Sequence, residues 1–122
     1  MAKLSVYGIP NCDTVKKARR YLDARGLDYV FHDFRKEGVD PERLARWIEA
    51  EGVDTVLNRR GTTFRKLDEA DKTDIDAAKA VTLLHSQPSM IKRPVVEHGV
   101  EHVGGLLVGF KEDEWDLSLI HI

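Results

Sequence analysis

Cysteine is nearly absent from the chain: Cys12 is the only one among 122 residues. One cysteine cannot close an internal disulfide, which excludes a disulfide-stapled scaffold and fits a reducing compartment. Neither sign of charge is in excess. Lys and Arg number 19 against 21 Asp and Glu, a net charge of −2. That balance predicts no direct nucleic-acid binding through a basic surface. No apolar run is long enough to span a bilayer as a helix. Met1-Ala2-Lys3 passes straight into a strand pattern with no apolar leader. Internal repeats and low-complexity linkers are missing too. The expectation is a cytoplasmic monomer without membrane partners, built as a single domain over residues 1–122. Apolar residues form 42% of the chain, enough for one core at this length.

What the chain does have is organised around Val6-Tyr7-Gly8-Ile9-Pro10-Asn11-Cys12-Asp13-Thr14. Leu4 and Val6 alternate with Ser5 and Tyr7, as in a short strand. Gly8, Pro10 and Asn11 end it. From Thr14 to Arg25 the pattern is helical, with Val15, Ala18 and Leu22 on one stripe. Cys12 therefore falls where a strand ends and a helix begins. Amides at a helix N-terminus are unpaired and carry partial positive charge, so they stabilise a thiolate and hold an incoming anion. A lone cysteine often serves only as a small buried hydrophobe. Here the neighbours Asn11, Asp13 and Thr14 cap and turn rather than pack, which favours the reactive reading. Asn11 and Thr14 are candidate donors to the thiolate; each also has a plain reading, as turn residue and helix-start residue.

Gly26 is placed to end the first helix. Leu27 to Phe34 reads as a second strand, parallel to the first through a βαβ crossover. Asp40-Pro41-Glu42 is a helix start, with Leu44, Trp47 and Ile48 as the buried stripe and Gly52 as the stop. The less regular stretch from Val53 to Asp71 concentrates cations: Arg59, Arg60, Arg65 and Lys66. Such a run is commonly a solvated face; alternatively one arginine turns inward, its planar fork suited to an oxyanion. Thr73 to Ser86 reads as a helix with Ala77, Ala80, Val81 and Leu84 inward, closed by Pro88. Arg93 is held extended against Pro94 at the mouth of a strand, with either isomer of the X-Pro bond open. Glu97 to Glu101 reads as a hairpin turn and Val103 to Phe110 as the antiparallel return. A last helix starts over Lys111 to Trp115; residues 117–122 form an apolar ending that either finishes this helix or does not belong to the natural protein. The histidines show no metal-ligand spacing with Cys12, so no metal and no bound cofactor are expected.

The order is βαβ, helices, then a ββ hairpin and a helix. This is an α/β class, a thioredoxin-like fold with a helical insertion between an N-terminal βαβ unit and a C-terminal ββα unit. Three motifs in register, Tyr7 to Thr14, Arg59 to Leu67 and Ile91 to Pro94, resemble the ArsC/Spx family. The resemblance runs from residue 3 to about residue 116 and looks nearest to the YffB-like branch, described as glutathione-dependent reductases. It implies that Cys12 is the nucleophile, that Arg59 and Arg93 hold the oxyanion or the adduct, and that Pro94 is the proline of the loop facing the cysteine. Arg60 is the alternative to Arg59. The arsenate reductases of the family carry a third arginine where this chain has Gly109, and a histidine where it has Gly8. Each missing charge-assisted bond is worth roughly 1.5–3 kcal/mol. The resemblance therefore implies cysteine chemistry with a weakened hold on arsenate.

The enzyme expected is a single-cysteine thiol reductase acting on a sulfur or oxyanion substrate. Having no resolving cysteine, it needs an external thiol: glutathione as co-substrate, or a glutaredoxin-like reductant. The alternative is a non-catalytic, Spx-like regulatory protein contacting RNA polymerase or another partner. Many Spx regulators use a C-x-x-C switch, and here the second position is Val15. A third reading, an arsenate reductase in which Lys111 replaces the missing arginine, supplies charge without the bidentate fork.

Overall fold

The computed structural model describes residues 4–100 and 103–119. The fold is α/β and thioredoxin-like, and it divides into two compact units. One unit combines Met1–Phe34 with Arg93–Ile122; the other is Arg35–Lys92.

The first unit is built on a four-stranded sheet. Strands β1 (Leu4–Gly8), β2 (Tyr29–Asp33), β3 (Val95–Val100) and β4 (Val103–Val108) lie in the order β2-β1-β3-β4. β1 runs parallel to β2 and antiparallel to β3, and β4 returns antiparallel to β3. Period-2 alternation sends Leu4 and Val6 of β1, Val96 of β3 and Leu107 of β4 to one face. Helices α1 (Asp13–Ala24) and α8 (Glu112–Ser118) cover that face with Ala18, Tyr21, Leu22, Trp115 and, just past α8, Leu119. Burying one such aliphatic or aromatic side chain contributes about 1.5–3 kcal/mol, so this cluster is the main stabilising feature of the unit.

α1 ends in a Schellman motif. Gly26 sits at φ +66°, its amide donates to Asp23 O at 3.0 Å, and the Leu27 amide donates to Leu22 O at 3.1 Å. Only glycine adopts that φ without strain, which is why the helix stops there. The two helices are tied by Tyr21. Its ring meets Phe110 and Trp115 edge-on, and its hydroxyl donates to Asp116 Oδ1, which also accepts from Arg25. On the opposite face of the sheet Tyr7 stacks on His32 at 4.6 Å, and its hydroxyl donates to Glu97 Oε1 at 3.4 Å.

The second unit is helical. α3 (Pro41–Glu51) packs its buried Leu44, Trp47 and Ile48 toward α7 (Ala77–Ser86), which contributes Ala80, Leu83 and Leu84. Three one-turn helices, α4 (Val53–Val56), α5 (Thr62–Arg65) and α6 (Glu69–Lys72), occupy the irregular stretch. A 3-10 turn over Pro88–Met90 follows α7. An isolated antiparallel bridge between Leu57 and Ile91 closes the unit, with Lys92 donating to Val56 O at 2.8 Å.

Three expectations need correcting. The second strand does not run from Leu27 to Phe34. Leu27 is used by the Schellman motif, and Phe34 opens the short helix α2 (Phe34–Glu37) with its side chain fully buried. The helix expected from Thr73 starts at Ala77. Asp76 is its true N-cap and accepts from the Lys79 amide at 2.8 Å, while the Lys79 ammonium binds the carbonyls of Ala70 and Thr73. Asp74, at φ +52°, keeps α7 from extending upstream to Thr73. Ala77 accordingly points outward, and Leu83 takes its place in the buried stripe. The hairpin turn does not fall on 97–101, because residues 97–100 belong to β3 and pair with 103–106; residues 101–102 lie outside the described residues. The apolar ending follows one of its two readings: Leu117 and Ser118 finish the last helix, α8, and Leu119 is buried, while 120–122 lie outside the described residues.

Candidate active site

Cys12 is the N-cap of α1, half-buried, with extended backbone (φ −120°, ψ 127°). Its carbonyl accepts the Lys16 amide at 2.9 Å and so begins the helix. Thr14 and Val15 are then the second and third helical residues, whose amides have no partner inside the helix. They face the cysteine sulfur as they would face a capping oxygen, without completing an ordinary cap hydrogen bond to the neutral thiol. From the far side of the chain the Arg93 side chain donates to the same sulfur.

These groups set how the thiol titrates. Burial is the largest single influence and pushes the thiol up. The Val15 amide, the Arg93 hydrogen bond, the Thr14 amide and the Arg93 charge push it down, and together they win. Cys12 is therefore held below the ordinary thiol range, and more of it is thiolate at neutral pH.

The loop carrying Arg93 is anchored from behind. The Arg93–Pro94 bond is cis, and Pro94 is buried. The Pro94 carbonyl accepts the Gly109 amide at 2.8 Å, and the Gly109 carbonyl accepts Trp115 Nε1 at 3.0 Å. Gly109 sits at φ +77°, a conformation that any other side chain adopts only with strain. An arginine at this position would have to overcome that strain.

The structure thus brings together Cys12, Arg93 and the amides of Thr14 and Val15, with Pro94 following Arg93 in the chain. Thr14 acts through its backbone, not its hydroxyl. Asn11 is exposed in the turn ahead of the helix. The Val15 side chain reads as a core residue, and its amide is one of the helix-start amides that the place of Cys12 in the sequence predicts. Arg59 and Arg60 belong to the helical unit. There Arg59 donates to Asp54 Oδ1 at 2.8 Å and lies 5.6 Å from the Phe64 ring centre, and the Arg60 amide donates to Asn58 Oδ1 at 3.0 Å. Lys111 is the exposed N-cap of α8. Among the described residues no three His, Cys, Asp or Glu side chains cluster as metal ligands do.

The ArsC family model matches residues 7–117, and the chain belongs to the ArsC family. A solved structure described as a YFFB protein is 54% identical, with a TM-score of 0.87 over 95% of this chain and 98% of its own. The solution structure of an arsenate reductase (ArsC) related protein from Brucella melitensis is 48% identical, with a TM-score of 0.71 over 96% of this chain and 94% of its own. An uncharacterized protein of Haemophilus influenzae is 39% identical over 94% of this chain and 97% of its own. A global transcriptional regulator Spx from Listeria innocua is more distant, 24% identical over 91% of this chain and 82% of its own. Among the described residues no helix is long and apolar enough to cross a membrane.

Proposed function

We propose that the protein is a single-cysteine thiol reductase that uses an external thiol, glutathione or a glutaredoxin-like reductant, and works as a monomer in the reducing cytoplasm. The observation that carries this reading is the Arg93 side chain donating to the sulfur of a half-buried cysteine at a helix start. Asn11 is a further candidate contact on the substrate side. The motif order assigns a second cation to Arg59, with Arg60 as its alternative.

For a disulfide substrate R–S–S–R′ the steps balance as thiol exchange. The Cys12 thiolate attacks one sulfur, and the Cys12–S–S–R bond forms as the S–S bond breaks. R′–S⁻ leaves with the electron pair and takes a proton from water. Arg93 and the amides of Thr14 and Val15 stabilise the anionic sulfur before attack and on return. A glutathione thiolate then attacks the mixed disulfide at the R sulfur and releases the Cys12 thiolate. One disulfide is consumed and one is made, so no further oxidant or reductant is needed.

The experiment is intact-protein mass spectrometry after exposure to oxidised glutathione. The expected result is one glutathione adduct, mapped to Cys12, absent in Cys12→Ser and cleared by reduced glutathione. No adduct on the folded protein would sink the reading. The second reading, a regulatory protein binding a partner such as RNA polymerase, is favoured by the similarity to a transcriptional regulator over most of the chain. Stable recovery of polymerase subunits with the tagged protein would support it.

A further inference from the structure

Gly8 closes β1 just before the chain turns toward Cys12. It is not among the glycines at positive φ, so its backbone suits any residue. What excludes a side chain is space. A Cβ at position 8 would lie 2.9 Å from Val15 Cγ2, 3.3 Å from Val15 Cγ1 and 3.7 Å from Phe31 Cε1. The first of these is closer than carbon atoms approach in a packed interior. Val15 cannot turn aside: it is fully buried, and a β-branched side chain in a helix has one strongly preferred rotamer. The side chain that presses on Gly8 belongs to the same residue whose amide faces the Cys12 sulfur.

We infer that Gly8 is a positioning residue: its bare Cα seats the Val15 side chain against β1 and so holds the first turn of α1, with Cys12 at its head, where the Arg93 side chain reaches the sulfur. Gly8 touches neither the sulfur nor a substrate in this role. A side chain at position 8 moves the first turn outward by about half an ångström, the difference between 2.9 Å and an ordinary 3.4 Å contact. Cys12 moves with that turn, and the interaction between its sulfur and Arg93 weakens with the distance. The inference rests on the reading of Cys12 as an activated nucleophile.

The test is the rate of iodoacetamide alkylation against pH, with circular dichroism to show that each variant is folded. Gly8→Ala is expected to raise the midpoint by about half to one pH unit. In Gly8→Ala/Val15→Ala the shortened side chain vacates the contested space, and the midpoint returns to the wild-type value. Val15→Ile crowds the same contact from the other side and moves the midpoint in the same direction as Gly8→Ala. An unmoved midpoint in folded Gly8→Ala, or a raised one that the double variant does not restore, overturns the inference. If Gly8→Ala does not fold, Val15→Ile decides: a raised midpoint supports the inference and a wild-type midpoint overturns it. A wild-type midpoint at the ordinary cysteine value removes the reading of Cys12 itself. A lowered wild-type midpoint that no variant moves removes only the role of Gly8.

Discussion

Arg93 donates a hydrogen bond to the sulfur of Cys12, although the whole of Arg35–Lys92 lies between them in sequence. The bond depends on a loop tied from behind by Gly109 and Trp115. Removing the guanidinium leaves burial, which pushes the thiol up, opposed by the two amides alone. Arg93→Ala is expected to raise the alkylation midpoint by roughly one pH unit, and Arg93→Lys to restore part of that shift through charge alone. A midpoint unchanged in Arg93→Ala would show that the contact does not govern the thiol.

Arsenate is expected to be a poor substrate. The motif resemblance assigns Gly8 and Gly109 to the positions of a histidine and an arginine in the arsenate enzymes. Each absent charge-assisted contact costs roughly 1.5–3 kcal/mol, about tenfold or more in rate apiece. Turnover of arsenate with glutathione and glutaredoxin, measured beside a dedicated reductase, checks this. Comparable rates would overturn it.

Stability should fall in strong alkali through Tyr21. Burial and the hydrogen bond to Asp116 raise its phenol to about 12. The unfolded chain releases the same proton near 10. Between those values the folded state holds a proton that the unfolded state has lost, so stability declines as pH rises through the window. Below it the residue adds no pH dependence. Urea unfolding at a series of alkaline pH values should show this decline in wild type and a shallower one in Tyr21→Phe. The variant should lose about 1 kcal/mol at neutral pH, where the bond to Asp116 is missing.

The end of the last helix offers a paired test. Leu119 is 5% exposed within the core and Leu117 is 77% exposed. Leu119→Ala should cost about 2–3 kcal/mol by opening a cavity between α8 and the sheet. Leu117→Ala should stay within about 0.5 kcal/mol. Equal losses by chemical denaturation would contradict the packing described.

Much of the frame is legible because its signals are local. Asp40-Pro41 starts α3, Gly26 follows α1, and Leu4 and Val6 alternate in β1, each through groups a few residues apart. The misread boundaries have non-local or competing causes. Phe34 has strong β propensity, but burial of its ring, not propensity, decides where it goes. Asp76 displaced Thr73 as the start of α7 because its carboxylate caps the Lys79 amide and Lys79 laces the preceding loop. Gly99 looks like a turn residue, yet it pairs with Gly104 inside the ladder. At the candidate site Cys12 and Arg93 stand out by their motifs. The helix-start amides are legible as a group from the place of Cys12, and the fold selects those of Thr14 and Val15 from among them.

The sheet unit leaves off at Phe34 and resumes at Arg93, and its central strand β1 has β3 as one of its two partners. This sets an order of events during synthesis. When β1, α1 and β2 have left the ribosome, Cys12 is present but Arg93 has not been made, and one side of β1 is still open. The thiol on the nascent chain therefore lacks its arginine until the helical segment and β3 have followed. Full nucleophilicity arrives only once Arg93 and β3 have been made, so a nascent chain that stops short of them carries a less reactive sulfur.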